Sequence, residues 1–264
     1  MKALLTNDDG IRAPGLRALF EATRDRFDEL MVVAPLTVQS ATGHGVTVDQ
    51  PLMTREVRFA PDADPPASGT AVDGRPADCS KLALTNLWPE RFGEGTRPDL
   101  VLSGMNMGAN VGINVIYSGT VAAAIEAAVL GVPAIAVSLH LGRGTAEYAA
   151  AAQRAAVAID AVLAAGPLAP HTCININVPR TEVEDGDARF EPAPLVVCPM
   201  NTHGLVDKFE RRVSPGGAVY FWSAGSGLDF RESDPGADVA ALFDRRVTVT
   251  PLTFDLTDRA TLPA

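Results

Sequence analysis

The chain has 264 residues, 47% of them hydrophobic and 20% charged, with a formal net charge of −10 and a pI near 4.8. That length fits one large domain or a main domain with an appendage. The acidity excludes broad binding to nucleic-acid polymers or to anionic membranes, which need a basic face, but leaves room for a small anion held locally.

Residues 2–6 read as a buried strand that ends abruptly in Thr6-Asn7-Asp8-Asp9-Gly10. Two neighbouring carboxylates at such a tip repel one another and call for a compensating cation. Gly15 to Phe27 carries Leu16, Leu19, Phe20, Thr23 and Phe27 at helical spacing, with Pro14 suited to the first turn. Leu30 to Ala34 is a second apolar strand, so the pair should be parallel with a right-handed crossover. Val46 to Phe59 is strand-like, Pro61 to Gly69 reads as a loop, and Pro76 to Trp88 contains a helix. Asp99 to Ser103 predicts a strand, followed by a glycine-rich loop to Gly112 and a helix over Thr120 to Leu130 that Gly131 and Pro133 close. Ala134 to Ser138, Thr145 to Ala165 and Cys173 to Val178 continue as strand, alanine-rich helix and strand.

This alternation places residues 1–180 in the α/β class, as an open, mostly parallel sheet with helices on both faces. Residues 181–264 differ in texture. An acidic loop over 181–188 precedes strand-like segments at Leu195 to Cys198, Ala218 to Trp222 and Val247 to Leu252. They read as a smaller C-terminal extension that completes the fold and mediates oligomerisation. Cys79, Cys173 and Cys198 are odd in number and widely spaced, so neither a disulfide framework nor a zinc cluster is expected. The apolar run from Thr120 to Leu141 is broken by Glu126, Gly131 and Pro133 and does not predict a membrane span. Ala3 to Thr6 is too short for the apolar core of a secretory signal, so a cytoplasmic location is expected.

In an open parallel sheet, ligands bind beyond the carboxyl ends of the strands, and three loops leave there. One carries Asn7, Asp8 and Asp9; the second Gln39, Ser40, Thr42, Gly43 and His44; the third Asn106 and Asn110 among glycines. Each has a competing reading as turn or cap residues. Together, Asp8, Asp9, Ser40 and Asn106 form an oxygen set suited to Mg²⁺ or Mn²⁺, whereas zinc would show His or Cys. Tyr117-Ser118-Gly119-Thr120 opens the alanine-rich helix. Its hydroxyls can cap that helix, and its N–H groups can cradle a phosphate. His44 is a candidate proton donor or phosphate contact, with a plain surface histidine as the alternative. No P-loop, dinucleotide-binding glycine array or Gly-x-Ser-x-Gly elbow is present.

Thr6-Asn7-Asp8-Asp9-Gly10, Val33-Ala34-Pro35, Gln39-Ser40-Ala41-Thr42-Gly43-His44, Pro98 to Asn106 and above all Val115-Ile116-Tyr117-Ser118-Gly119-Thr120-Val121-Ala122-Ala123-Ala124 resemble the survival protein E (SurE) family of metal-dependent nucleotidases. Asn175-Ile176-Asn177-Val178-Pro179 and Val247 to Leu252 also fit. The resemblance implies a Rossmann-like catalytic domain and hydrolysis of nucleoside 5′- or 3′-monophosphates with one Mn²⁺ or Mg²⁺ per subunit. It further implies assembly as a homodimer or homotetramer. It carries over Asp8, Asp9, Ser40 and Asn106 as metal ligands, and Asn110, Ser118, Gly119 and Thr120 as phosphate contacts. Leu36, Gly74-Arg75-Pro76 and Asn114 depart from the family pattern; Leu36 and Arg75 bear on base preference. Two alternatives stand beside a nucleotidase: a phosphometabolite-binding protein with little turnover, and a phosphatase for a non-nucleotide phosphoester.

Overall fold

A computed structural model describes residues 1–182, 194–224, 228–258 and 261 of the chain. At its centre lies β1 (Lys2–Thr6), whose Ala3, Leu4 and Leu5 have no exposed surface. An unbroken apolar run is what a strand covered on both faces requires. Pro14 opens α1 (Pro14–Thr23), which buries Leu16, Leu19 and Phe20, and a 3-10 turn (Arg24–Arg26) ends it. β2 (Glu29–Pro35) pairs parallel to β1, with Lys2 opposite Glu29.

β3 (Met53–Ala60) and β4 (Ala67–Asp73) extend this edge, β4 parallel to β2 and β3 antiparallel to β4. The start of β4 lies where a loop was expected. Ala67, Ser68 and Gly69 have no apolar alternation to betray a strand, yet Gly69 sits so close to β2 that a Cβ there would meet the Val32 carbonyl oxygen at 2.8 Å. The expected helix over 76–88 is divided. α2 (Pro76–Leu82) runs into a π turn (Ala83–Leu87) before α3 (Trp88–Phe92). Pro89 explains the break, since it lacks an N–H and its ring crowds the carbonyl of Thr85.

β5 (Leu100–Met107), α4 (Gly119–Val129), β6 (Ala134–Leu139), α5 (Tyr148–Ala164) and β7 (Cys173–Val178) continue the alternation. β5 runs on through residues expected to be loop. Beyond residue 180 come β8 (Leu195–Val197), β9 (Phe209–Val213), β10 (Val219–Ser223), α6 (Asp238–Phe243) and β11 (Val247–Leu252). Most of the expected acidic loop over 181–188 lies outside the described residues.

The nine-stranded sheet has the order β3-β4-β2-β1-β5-β6-β7-β11-β8, and β9 and β10 form a separate two-stranded sheet. β11 pairs antiparallel with β7 and β8 parallel with β11, so residues beyond 180 are built into the main sheet. One buried cluster joins α1 and α5 to one face; another joins α2 and α4 to the opposite face. Strands are added outward from β1 towards β2 and β4, then from β5 towards β6 and β7. The reversal falls between β1 and β5, and there the connecting loops part to leave a crevice.

Candidate active site

The crevice is built from the tip of β1 outward. Asn7 is fully buried; its carboxamide donates to the Gly10 carbonyl (3.0 Å) and accepts from the Gly10 N–H (3.2 Å), closing a tight turn. Gly10 adopts a φ of 96°, a conformation glycine tolerates without strain. Asp8 is thereby held 5% exposed, and Asp9 is half-buried. Asp9 accepts the Met107 N–H through Oδ2 (2.8 Å), tying the β1 loop to the end of β5.

β5 reaches this point through an irregularity. Its register against β6 slips between Ser103 and Asn106. Gly104, at φ 142°, leaves no room for a Cβ against the Val137 carbonyl. A slip of this kind re-aims the following side chain. Asn106 donates from Nδ2 to the Gly108 carbonyl (2.7 Å), which leaves its carbonyl oxygen available. Behind it, Asn110 is gripped at both backbone polar groups. Its N–H donates to Asn177 Oδ1 (2.8 Å), and its carbonyl accepts from Asn175 (2.7 Å) and Asn177 (2.9 Å). Its own Nδ2 donates to Ser138 Oγ (2.8 Å).

The third wall is the start of α4. Ser118 is its N-cap, accepting the Val121 N–H at 3.1 Å and keeping its own hydroxyl proton to donate. Thr120 has no exposed surface and donates its hydroxyl to Asp8 Oδ1. Gly119 packs so tightly that a Cβ would lie 2.8 Å from Asp8 Cβ and 2.9 Å from Pro76 Cγ. Asp8, Ser40, Asn106, Asn110 and Ser118, with Asn114 and Tyr117, line a cleft of about 200 Å³.

Five sequence-predicted residues therefore share one cleft, and four do not line it. Asp9 braces Met107 at its rim. Gly119 and Thr120, expected against phosphate, lie beneath Asp8 and support it. His44 holds Glu126, with its Nε2 2.7 Å from Oε2. Sequence reasoning missed Asn177, Asn175, Glu126 and Asp238. Asp238 accepts the Gly112 N–H and the Asn201 N–H, both at 2.8 Å, and so ties the C-terminal region to the site loop. The legible signal was polar residues at alternate positions of a strand buried throughout, as in Asn175-Ile176-Asn177.

The electrostatics suit a hard cation. Burial pushes the Asp8 carboxyl up to about 6, with a smaller contribution from the Asp9 charge, against the hydrogen bond from Thr120. Burial also raises Asp9, against the Met107 N–H. Among the described residues no Lys, Arg or His forms an ion pair with either acid. Nor does any group of three or more His, Cys, Asp or Glu among them have an arrangement that could hold a metal ion. The donor set is thus two uncompensated carboxylates beside neutral oxygens of Ser40 and Asn106, which fits Mg²⁺ or Mn²⁺ and not zinc.

Fold and site together define a doubly wound α/β protein with an acidic, oxygen-lined cleft at its switch point. The model of the family described as "Survival protein SurE" matches residues 3–197. The chain is 42% identical over 258 residues to the 5′-nucleotidase SurE of Heliobacterium modesticaldum, covering 98% of this chain and 88% of the relative. It is also 42% identical over 265 residues to the 5′-nucleotidase SurE of Desulforudis audaxviator, covering 100% and 96% respectively. The crystal structure of the SurE protein from Aquifex aeolicus superposes with a TM-score of 0.78 at 33% identity, covering 99% of this chain and 97% of that one. The chain belongs to the SurE family.

Proposed function

We propose that the chain is a phosphomonoesterase that converts nucleoside monophosphates to nucleoside and phosphate with the help of one divalent cation, Mn²⁺ or Mg²⁺. The observation that carries this reading is an uncompensated Asp8 sharing a cleft with Ser40, Asn106 and the capped N-terminus of α4, with Asp9 bracing Met107 at its rim. The relatives' names supply the nucleotide. A bound cation, held by Asp8, Asp9, Ser40 and Asn106, would neutralise charge on the phosphoryl group and acidify the attacking water.

The protein's own groups supply the remaining chemistry. Asp8 lines the cleft and Asp9 does not, so Asp8 is the carboxylate placed to receive the water's proton as the water oxygen bonds to phosphorus. The Ser118 hydroxyl and the positive end of α4 face the phosphoryl oxygens, as helix N-termini do in anion sites. Asn110, locked by its neighbours, orients the same group. The P–O ester bond then breaks, and the nucleoside oxygen takes a proton from solvent, since His44 is committed to Glu126. The cleft accommodates the phosphate and the edge of the sugar. Tyr117, 53% exposed at the rim, offers the base an aromatic face.

We also assign a cytoplasmic location, supported by three buried free cysteines, and a homo-oligomeric state built through the β9–β10 hairpin. Among the described residues no helix is long and apolar enough to cross a membrane. Phosphate release from a panel of nucleoside monophosphates, run with Mn²⁺, with Mg²⁺ and with EDTA, tests the activity. Turnover should require the cation and disappear in EDTA and in Asp8→Asn. Turnover that persists in EDTA, or binding without turnover, overturns the reading.

A further inference from the structure

The loop that brings Ser40 into the cleft is fastened at several points. Its Gln39 N–H donates to the Asp8 carbonyl (2.8 Å), and its Gly43 N–H to the Tyr117 carbonyl (3.1 Å). Farther along, Thr47 gives both its N–H (2.8 Å) and its hydroxyl (2.7 Å) to Asp78. Between Gly43 and Thr47 stands one side-chain link, His44 to Glu126 at 2.7 Å. The backbone on this stretch is strained, because Ala41, next to Ser40, has a φ of 56°. A non-glycine residue in the left-handed region is strained and persists only where its surroundings over-determine it.

Glu126 is an unusual choice for its position. It is 5% exposed on a helix otherwise built of small and apolar residues. A carboxylate is buried at such a place only with partners, and it has two, His44 and Lys81 Nζ at 2.9 Å. The same helix supports Asp8 at its other end through Gly119 and Thr120. Two helical turns, roughly 10 Å at 1.5 Å per residue, separate those supports from Glu126. One rigid rod therefore touches both the carboxylate wall and the serine wall of the cleft.

We propose that the His44–Glu126 pair is a latch that holds the strained Ser40 loop in register with Asp8, making both residues positioning residues for the cation site. This rests on the assignment of Ser40 and Asp8 to that site. Removing the latch lets Ala41 relax and Ser40 withdraw, so the cation loses a neutral oxygen while both carboxylates stay in place. Residues that orient metal ligands typically change affinity by about 10–100-fold when removed.

The test is Mn²⁺ binding by calorimetry to the full chain free of nucleotide, with amide hydrogen exchange over residues 39–43. His44→Ala and Glu126→Ala should each weaken Mn²⁺ about tenfold and speed exchange at Gln39 and Gly43. His44→Gln, whose amide can still donate to Glu126, should restore most of the affinity. Wild-type Mn²⁺ affinity in a folded His44→Ala variant overturns the latch. So does weakened binding with unchanged exchange, which would make His44 a ligand rather than a support. Asp8→Asn distinguishes a failed latch from a misassigned cation site. If it leaves Mn²⁺ binding intact, the cation site itself is misassigned and the latch falls with it. If it abolishes binding while His44→Ala keeps the wild-type affinity, the latch alone is wrong.

Discussion

A buried carboxylate pays its way only through its partners, and Glu126 shows how far those partners are set by pH. The His44 hydrogen bond, opposed by burial and aided by Lys81, holds its carboxyl below the ordinary value of 4.5. A folded value below the unfolded one means stability that is fully present above pH 4.5 and fades as pH falls through that value towards the folded one. Both partners are partly exposed, with side chains 36% and 49% accessible, so the pair is screened and worth less than a fully buried one. Glu126→Gln should therefore cost about 1–2 kcal/mol at pH 7. Urea denaturation of both proteins across pH should show that difference shrinking below pH 4.5. A gap that stays constant to pH 3 would show that the charge contributes nothing and that packing alone is lost.

β7 shows what a strand can do for a loop it never joins. Asn177 sits opposite Thr248 of β11 and reaches across the sheet edge to both backbone groups of Asn110. Asn177→Ala would leave the Asn110 N–H buried without a partner, at about 1–3 kcal/mol for the unmet group, with packing loss in addition. Thermal unfolding should fall accordingly, and phosphate release should drop more than binding of nucleotide, because Asn110 loses its orientation. Elements of this kind also mark where sequence reading succeeds and fails. β1, β2 and β6 were legible as apolar runs between turn residues, and β7 and β11 as β-branched residues alternating with polar ones. β4 and the second half of β5 were not, since Ala67-Ser68-Gly69 and Ser103-Gly104-Met105-Asn106 carry the small residues of loops. In both places the glycine is there for close strand contact, against Val32 and Val137, and not for a turn. Asp8, Ser40 and Asn106 could be assembled from strand order alone, because they leave neighbouring strands at one edge. Glu126 could not, since a charge on a helix reads as a solvent-facing residue until the fold buries it.

Taken as a whole, the molecule leaves one part without support of its own. The β9–β10 hairpin pairs Val213 with Val219, Arg211 with Phe221 and Glu210 with Trp222, and among the described residues belongs to no larger sheet. Successive side chains point to opposite faces, so Phe209, Val213, Val219 and Phe221 share one side and Tyr220 and Trp222 the other. Phe209, Phe221 and Trp222 are each 60–67% exposed. A two-stranded ribbon is marginal in water, and one apolar on both faces with open edges is a template for association. A second copy of this chain is the occupant that charge favours, because the strands carry Arg211 and Arg212 against a single acid while the chain as a whole bears −10. Placing acids at Phe221 and Trp222 leaves the folded protomer's core untouched, since neither residue is buried in it. Sedimentation equilibrium should then report a monomer for Phe221→Glu/Trp222→Glu where the parent chain is an oligomer, with unchanged far-ultraviolet dichroism. An oligomer that survives the double substitution, or a parent chain that is monomeric at micromolar concentration, would mean that the hairpin serves another partner.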